Sequence, residues 1–445
     1  MKLIYECDMG IDYTQKTYLF CGVGGSGMRA LATVLCRKGA RVLGSDRSFD
    51  RGLFPALYEQ LACEGVKMVP QDGSGVIETL DFLVVSSAVE DSIADVREAK
   101  SKNISIIKRA ELLAELSNAS RSVTVGGTNG KSTITGMIGW MLHACEKKPT
   151  VINGAAMMNF ERQSAVMGES NIMVLETDES DGSITNFHPD IAVLSNISQD
   201  HKEMDELEDI FGRYLSQAKY LVLNMDCPNV QKLASKFPEA KRYSMDTIPE
   251  GLDLIVPGRH NISNALAALK VAELHDIDEE DAIKALNRFQ GIVSRLEVVG
   301  KTASDITVID DFGHNPDKIS ASLKTLQETG KRLIVMYQPH GFGPTIQQKD
   351  GLIKSFSDNL KEEDLFFMPE IYYAGGTANK SISSKDIIDG VKASGRTALF
   401  YDTKDEISDE IKRNVRSGDI VCVMGARDDS LREMARNLFK SLNRN

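Results

Sequence analysis

Residues 126–133 read GGTNGKST and follow the apolar run 123–125, so strand, glycine turn and helix start come in the order a phosphate cradle requires. Glycines let backbone N–H groups converge on phosphate oxygens with no Cβ in the way. Lys131 is placed to neutralise the terminal phosphates, and Ser132 offers a hydroxyl to Mg2+. The helix beginning there adds the positive end of its dipole. The loop is one spacer residue short of the commonest phosphate-loop pattern. A plain glycine turn into a buried helix would not need Lys and Ser in this register, so phosphate binding is the stronger reading.

A second glycine-rich loop, GVGGSGM at 22–28, follows the apolar run 17–21 and precedes a helix-patterned segment at 30–38. The strand-like run 42–46 then ends in an acid, Asp46, at about the 20-residue spacing of a dinucleotide site. Any βαβ unit that brings its backbone close to a pyrophosphate would carry this pattern, so a nucleotide-sugar diphosphate fits as well as NAD. Asp46 either holds a ribose or caps the turn that follows. Two cradles of different type imply two different ligands.

Polar residues gather at expected strand ends, where open α/β sheets bind ligands. Glu176 ends one strand and leads into TDESDGS; Asn196 ends the next, with Asp200 and His201 close behind. Singly, Glu176 or His201 would more often be a cap or a surface residue. At consecutive strand ends above a phosphate loop, a carboxylate and an imidazole suit the Mg2+ ions that accompany a triphosphate. Further on, GRHNISNALAAL at 258–269 starts a helix on which the i, i+3 and i+4 spacing predicts one face shared by His260, Asn261 and Asn264. Asn amides donate and accept, which suits an adenine edge, although Asn261 also reads as an ordinary helix cap. The apolar run 306–310 leads into DDFGHNPDKI and sets Asp310, Asp311 and His314 at another strand end.

The elements that must position these groups are short β-like runs alternating with helical ones, the pattern of parallel sheets with helices on both faces. Strands are expected at 18–22, 41–45 and 82–86, then at 121–125, 172–176, 191–195 and 220–224, then at 306–310, 333–337, 398–401 and 419–424. The three groups predict an α/β chain of three domains: Rossmann-like over 1–117, a central phosphate-loop domain over 118–296, and a second Rossmann-like domain over 297–445. At 445 residues each domain is large enough to bury its own core. A formal charge of −12 and a pI near 5.2 argue against nucleic acid or an anionic membrane surface as partner. Phosphates must then be held by local loops and metal. Seven cysteines with no CxxC spacing read as reduced thiols of a cytoplasmic protein. No leader-like opening and no apolar run of ~20 residues suggests membrane insertion.

Taken in order, GVGGSGM, VVSSAV (84–89) with IIKRAELLAEL (106–116), GTNGKST, ETDESDGS, LSNISQDH, PGRHNISNALAA, the turn at Arg295, DDFGHNP and YQPH (337–340) resemble the Mur ligase family over nearly the whole chain. The resemblance is closest to the branch that joins L-alanine to UDP-N-acetylmuramate. It implies a three-domain amide ligase that uses ATP and Mg2+ to join an amino acid or peptide to a UDP-sugar carboxylate, as a monomer or weak homodimer. Gly24, Gly25, Ser26 and Gly27, with Asp46 and Ser87, would hold the UDP-sugar. Asn129, Gly130, Lys131, Ser132 and Thr133 would bind ATP, with Asn261 and Asn264 at the adenine and His260 and Arg295 in the same set. Ser132, Glu176 and His201 would be the Mg2+ ligands. Lys131, Arg295, Asp311 and His314 would be catalytic, Arg295 and Asp311 completing the phosphate site when the domains close. His314 and His340 would face the incoming amine.

The chain departs from the L-alanine-adding pattern around that amine. The branch carries arginines after YQPH, natural partners for an amino-acid carboxylate; here the residues are Gly341, Phe342, Gly343 and Pro344. Asn315 replaces a second histidine, and Asn129 is more typical of ligases that add later residues or glutamate tails. The amine therefore stays open between an amino acid and the peptide of a muramyl-peptide-recycling or pseudomurein-type ligase. A nucleotide-binding homologue without catalysis is a further alternative, opposed by the presence of Lys131, Glu176, His201, Arg295 and Asp311. An NAD-dependent oxidoreductase would leave the Lys131 loop unexplained.

Overall fold

Apolar runs buried on both faces build three mostly parallel sheets, as such sheets require. The computed structural model describes residues 13–86, 89–180, 182–198, 203–373, 381–428 and 430–443. The first sheet comprises β1 (Thr17–Cys21), β2 (Arg41–Ser45), β3 (Lys67–Val69), β4 (Phe82–Val85) and β5 (Ser105–Lys108), in the order β3-β2-β1-β4-β5. The second comprises β6 (Arg121–Gly126), β7 (Thr150–Met157), β8 (Gln163–Val166), β9 (Ile172–Glu176), β10 (Ile191–Leu194), β11 (Tyr220–Asn224) and β12 (Lys241–Tyr243). Its order is β12-β11-β10-β6-β9-β7-β8. The third comprises β13 (Glu297–Lys301), β14 (Thr307–Asp311), β15 (Leu333–Gln338), β16 (Leu365–Met368), β17 (Thr397–Phe400) and β18 (Ile420–Gly425), in the order β13-β14-β18-β15-β16-β17.

Two edge strands depart from the parallel expectation: β8 runs antiparallel to β7, and β13 antiparallel to β14. Each expected strand forms within a residue or two of its predicted bounds. The expected set lacks β3, β5, β7, β8, β12, β13 and β16, the last a short interior apolar run, LFFM. Five of these are sheet edges, which are half-solvated and need no continuous apolar run. An interior strand, β7, escapes notice because Asn153 and Gly154 interrupt it.

Packing divides the chain into two compact units, Met1–Val256 with His260–Ile292, and Pro257–Arg259 with Val293–Asn445. In the first unit the five- and seven-stranded sheets share apolar packing. The helix Ser26–Arg37 lies against β7 and β8, and Met173, Leu175 and Phe187 join Phe20, Leu31 and Val84 in one core. The second unit holds the six-stranded sheet, with Val335, Tyr337, Phe356 and Cys422 in its core. Among the described residues no helix is long and apolar enough to cross a membrane. The described cysteines are unpaired, and Cys21 and Cys422 are buried. Burial pushes the Cys21 thiol up to about 12, so it is inert. Cys7 lies outside the described residues.

Candidate active site

At the end of β6 the chain turns into the helix Lys131–Ala144. Gly127, at φ 126°, passes so close to β10 that a Cβ there would overlap the Ser195 hydroxyl and stand 2.9 Å from the Asn196 carbonyl oxygen. Gly130, at φ 85°, begins the helix. The loop is tied down from one side. Thr128 N–H donates to the Asn196 carbonyl (3.0 Å), and Asn129 N–H donates to Asn196 Oδ1 (2.9 Å). The Asn129 carbonyl accepts from Ser195 Oγ (2.8 Å) and Asn196 Nδ2 (2.9 Å). The first intrahelical bond is Ile134 N–H to the Gly130 carbonyl (2.9 Å), so the amides of Lys131, Ser132 and Thr133 precede the ladder and are the donors a phosphate would take.

Lys131 Nζ donates to the Gly127 carbonyl (2.7 Å) and to Glu179 Oε2 (2.8 Å). Both side chains are largely buried, at 19% and 10% exposure. Glu179 escaped the sequence reading: it stands in a Ser/Asp/Gly-rich loop that looks solvated, and only the fold turns it toward the lysine. Ser132 Oγ donates to Glu176 Oε2 (2.7 Å), and β9 pairs with β6 so that Glu176 sits opposite Val125 at the foot of the loop. Gly154 makes room there, since a Cβ on it would overlap the Glu176 carboxylate. Among the described residues Asn129 Oδ1 and Asn153 Oδ1 are buried acceptors without a donor, and Asn153 Nδ2 is bound to the Ser132 carbonyl (2.9 Å). The Glu176 carboxylate and the Ser132 hydroxyl are oxygen donors of the kind that Mg2+ and its waters take. Among the described residues no group of three or more His, Cys, Asp or Glu could hold a metal. His201 lies outside them.

On the helix Arg259–Leu274 the two asparagines share a face as expected, and His260 departs from it. Asn261 and Asn264 are buried and joined by a hydrogen bond from Asn264 Nδ2 to Asn261 Oδ1 (3.2 Å), whereas His260 is exposed. A one-residue step rotates a side chain about 100° round a helix, which separates His260 from its neighbour. Asn264 meets the phosphate loop itself: a Cβ on Gly130 would stand 3.1 Å from its Oδ1.

In the N-terminal sheet, the helix Ser26–Arg37 opens at Gly25 with no side-chain cap, and Gly25 and Ser26 are exposed. That leaves helix-end amides for a diphosphate. Asp46 realises the capping alternative: Oδ1 accepts from Ser48 N–H (2.8 Å) and Oδ2 from Gly24 N–H (3.0 Å), so it also fixes the glycine loop. A cation not anticipated from sequence lies beside this glycine loop. Arg109 follows β5 directly, and its Nη1 lies 3.2 Å from where a Cβ on Gly27 would be. Ser87 lies outside the described residues.

In the six-stranded unit, Arg295 is presented by a turn whose flanking residues, Ser294 (φ 55°) and Leu296 (φ 48°), are both left-handed. Such backbone persists only where its surroundings over-determine it. Here Ser294 N–H donates to Glu297 Oε2 (2.9 Å), Ser294 Oγ to Asp310 (2.6 Å) and Leu296 N–H to Asp311 Oδ2 (2.9 Å). Asp311 Oδ1 also accepts from Gly313 N–H (2.8 Å) and Ser322 Oγ (3.0 Å). Asp311 is thus a buried pin that positions Arg295, not a group open to substrate. Burial raises the Asp310 carboxyl above its ordinary range. The Arg295 guanidinium stacks 4.4 Å from the Phe312 ring centroid.

The structure brings His314 and His340 together, their ring centroids 5.7 Å apart. Burial pushes the His314 imidazole down to about 4 and lowers that of His340. His314 Nδ1 lies 3.0 Å from the Phe312 carbonyl, which only accepts. Nδ1 therefore carries the hydrogen, and Nε2 keeps its lone pair. Asn315 caps the helix Pro316–Gln327, accepting from Lys318 N–H (2.9 Å). Gly341, at φ 73°, starts the helix Phe342–Asn359, so the residues that replace the branch's arginines form a helix end.

An uncapped helix end on a Rossmann-like sheet, a Lys-Ser loop of the phosphate-binding type on a second sheet and a pair of imidazoles on a third belong to a three-domain α/β protein of nucleotide-binding type. The Mur ligase family catalytic-domain, middle-domain and glutamate ligase-domain models match residues 17–121, 125–248 and 294–427 respectively. The chain is 32% identical to the UDP-N-acetylmuramate–L-alanine ligase of Dictyoglomus turgidum, over 92% of its own length and 94% of the relative's. It is 30% identical to that of Agrobacterium fabrum, over 92% and 93%. In fold it is similar to the UDP-N-acetylmuramate–alanine ligase of Thermotoga maritima, with a TM-score of 0.77 at 23% identity over 96% of this chain and 98% of that one. The chain belongs to the Mur ligase family, and its chemistry is that of an ATP-dependent ligase.

Proposed function

We propose that this protein joins an amino acid or short peptide to the carboxylate of a UDP-N-acetylmuramate-type wall precursor, with ATP activating the carboxylate as an acyl phosphate. The observation that carries the reading is the phosphate loop with Lys131 held at Glu179 and Ser132 at Glu176, on a chain whose relatives bear the name of that ligase. A carboxylate is a poor acyl donor. Its oxygen attacks the γ-phosphorus and releases ADP; the amine then adds to the acyl carbon, and the tetrahedral intermediate expels phosphate.

Each residue has a task in these steps. Lys131 and the amides at the start of its helix hold the terminal phosphates, and Arg295 stabilises charge on the transferring phosphoryl group, by position and field. Ser132 and Glu176 would hold Mg2+, which when bound neutralises triphosphate charge; His201 is the remaining ligand of this reading. The open helix end at Ser26, with Arg109, takes the diphosphate of the sugar nucleotide. His314 Nε2 accepts the proton of the attacking amine, because its burial keeps the ring neutral at operating pH. No cysteine takes part.

The test is ATP-dependent phosphate release with UDP-N-acetylmuramate and a panel of amino acids and short peptides, L-alanine first, with product masses read in parallel. A new amide mass names the amine. ATP binding without any amide product across the panel would overturn the reading.

A further inference from the structure

The three strands at the middle of the third sheet end on one rung. β14 and β15 both pair with β18, and Asp311 and Tyr337 are each opposite Met424. Three residues past that rung, just beyond the ends of β14, β18 and β15 respectively, stand His314, Arg427 and His340. The arginine follows the strand that lies between those of the two imidazoles. We infer that Arg427 holds the α-carboxylate of the incoming amine substrate, which is therefore a free amino acid and not the N-terminus of a peptide; this rests on the ligase reading above.

Several observations support this assignment. Arg427 is exposed and has φ 64°, a left-handed backbone that costs a non-glycine residue and recurs at functional sites. Its neighbour Asp428 does not neutralise it, being bound to Lys404 Nζ (2.5 Å) and Ser430 Oγ (2.6 Å). Among the described residues the Arg427 guanidinium has no ion-pair or hydrogen-bond partner. Its charge reaches His340, where, after burial, it is the second influence disfavouring the imidazolium. An amine delivered to His314 Nε2 therefore meets a planar cation just past the end of the adjacent strand. In a free amino acid the carboxylate sits one carbon from that amine, within reach of a guanidinium fork. A peptide's N-terminal residue has an amide there instead and offers no charge.

Initial rates are measured on the full chain with UDP-N-acetylmuramate, ATP and L-alanine against L-alaninamide. Where L-alanine is silent and another amino acid of the panel is joined, that amino acid and its carboxamide are used. Arg427→Ala raises KM for the amino acid about ten- to hundredfold, the worth of one charge-assisted pair, with little change in kcat. KM for ATP and for the sugar nucleotide stays put. The carboxamide is a poor substrate of the wild type, and its KM does not respond to the substitution. Arg427→Gly accepts the left-handed backbone, so its melting temperature equals or exceeds the wild type's while KM rises as for alanine; this separates binding from folding. The inference fails if KM for ATP or the sugar nucleotide moves instead, or if acid and carboxamide lose equally. It also fails if only peptides are joined. No amide mass from the wild type with any amine would remove the ligase reading itself.

Discussion

Removing Lys131 should do two things to ATP binding, and the structure allows them to be separated. The lysine supplies charge to the phosphates, and it also neutralises Glu179, whose side chain is only 10% exposed and lies 2.8 Å from the ammonium. In Lys131→Ala that carboxylate would face the triphosphate uncompensated at a separation of about 5 Å. With an effective dielectric of about 20, one pair of unit charges at that distance repels by about 3 kcal/mol. Side-chain reorientation and water entering the lysine's space reduce this to about 1–2 kcal/mol, or roughly tenfold in Kd. Lys131→Ala/Glu179→Gln should therefore bind a non-hydrolysable ATP analogue about tenfold more tightly than Lys131→Ala alone, although both lack turnover. Titration calorimetry reads the affinities, with UDP-N-acetylmuramate binding as the control that stays near wild type in both variants. Equal ATP affinity in the single and double variants would refute the argument, because Glu179 would then exert no field on the phosphates. Joint loss of ATP and sugar-nucleotide binding in a folded variant would refute the two-site model.

Gly127→Ala should abolish ATP binding in calorimetry while leaving the sugar-nucleotide site intact, since a Cβ there overlaps Ser195 and the φ of 126° is forbidden to alanine. Asp46→Ala should do the reverse, weakening UDP-N-acetylmuramate and sparing ATP. It leaves the Gly24 and Ser48 amides without their acceptor and costs about 1–3 kcal/mol of local order. His275 and His314 are both pushed down from 6.5 to about 4 by burial. In that range the unfolded chain binds more protons, so their stabilisation is complete above about pH 6.5 and is lost as pH falls toward 4. Urea midpoints should drop over that window, and His275→Leu should flatten the drop, because its buried Nε2 has no partner among the described residues to lose.

Apolar patterning along the chain sets the three-sheet α/β plan and the ends of the eleven strands it signals. Runs buried on both faces must be continuously apolar, and a phosphate loop needs glycine, lysine and serine in fixed register after one of them. Half-solvated edges such as β3 and β12 need no such run, so they left no trace in the pattern. For the same reason Lys131, Ser132 and Glu176 could be named from their place at a strand end, while Glu179 and Arg109 could not. Their partners, Lys131 and Gly27, are 48 and 82 residues away. Nor could the sequence choose between Asp46 as ribose ligand and Asp46 as cap, or give Asp311 its role as the pin beneath Arg295, because both depend on which backbone amides converge on one carboxylate. His314, Arg427 and His340 are more than a hundred residues apart from end to end and become neighbours only because β14, β18 and β15 share a register. Local chemistry can be read along the chain. Convergence of side chains from different strands is decided by strand order and pairing, which the sequence specifies only through the packed sheet as a whole.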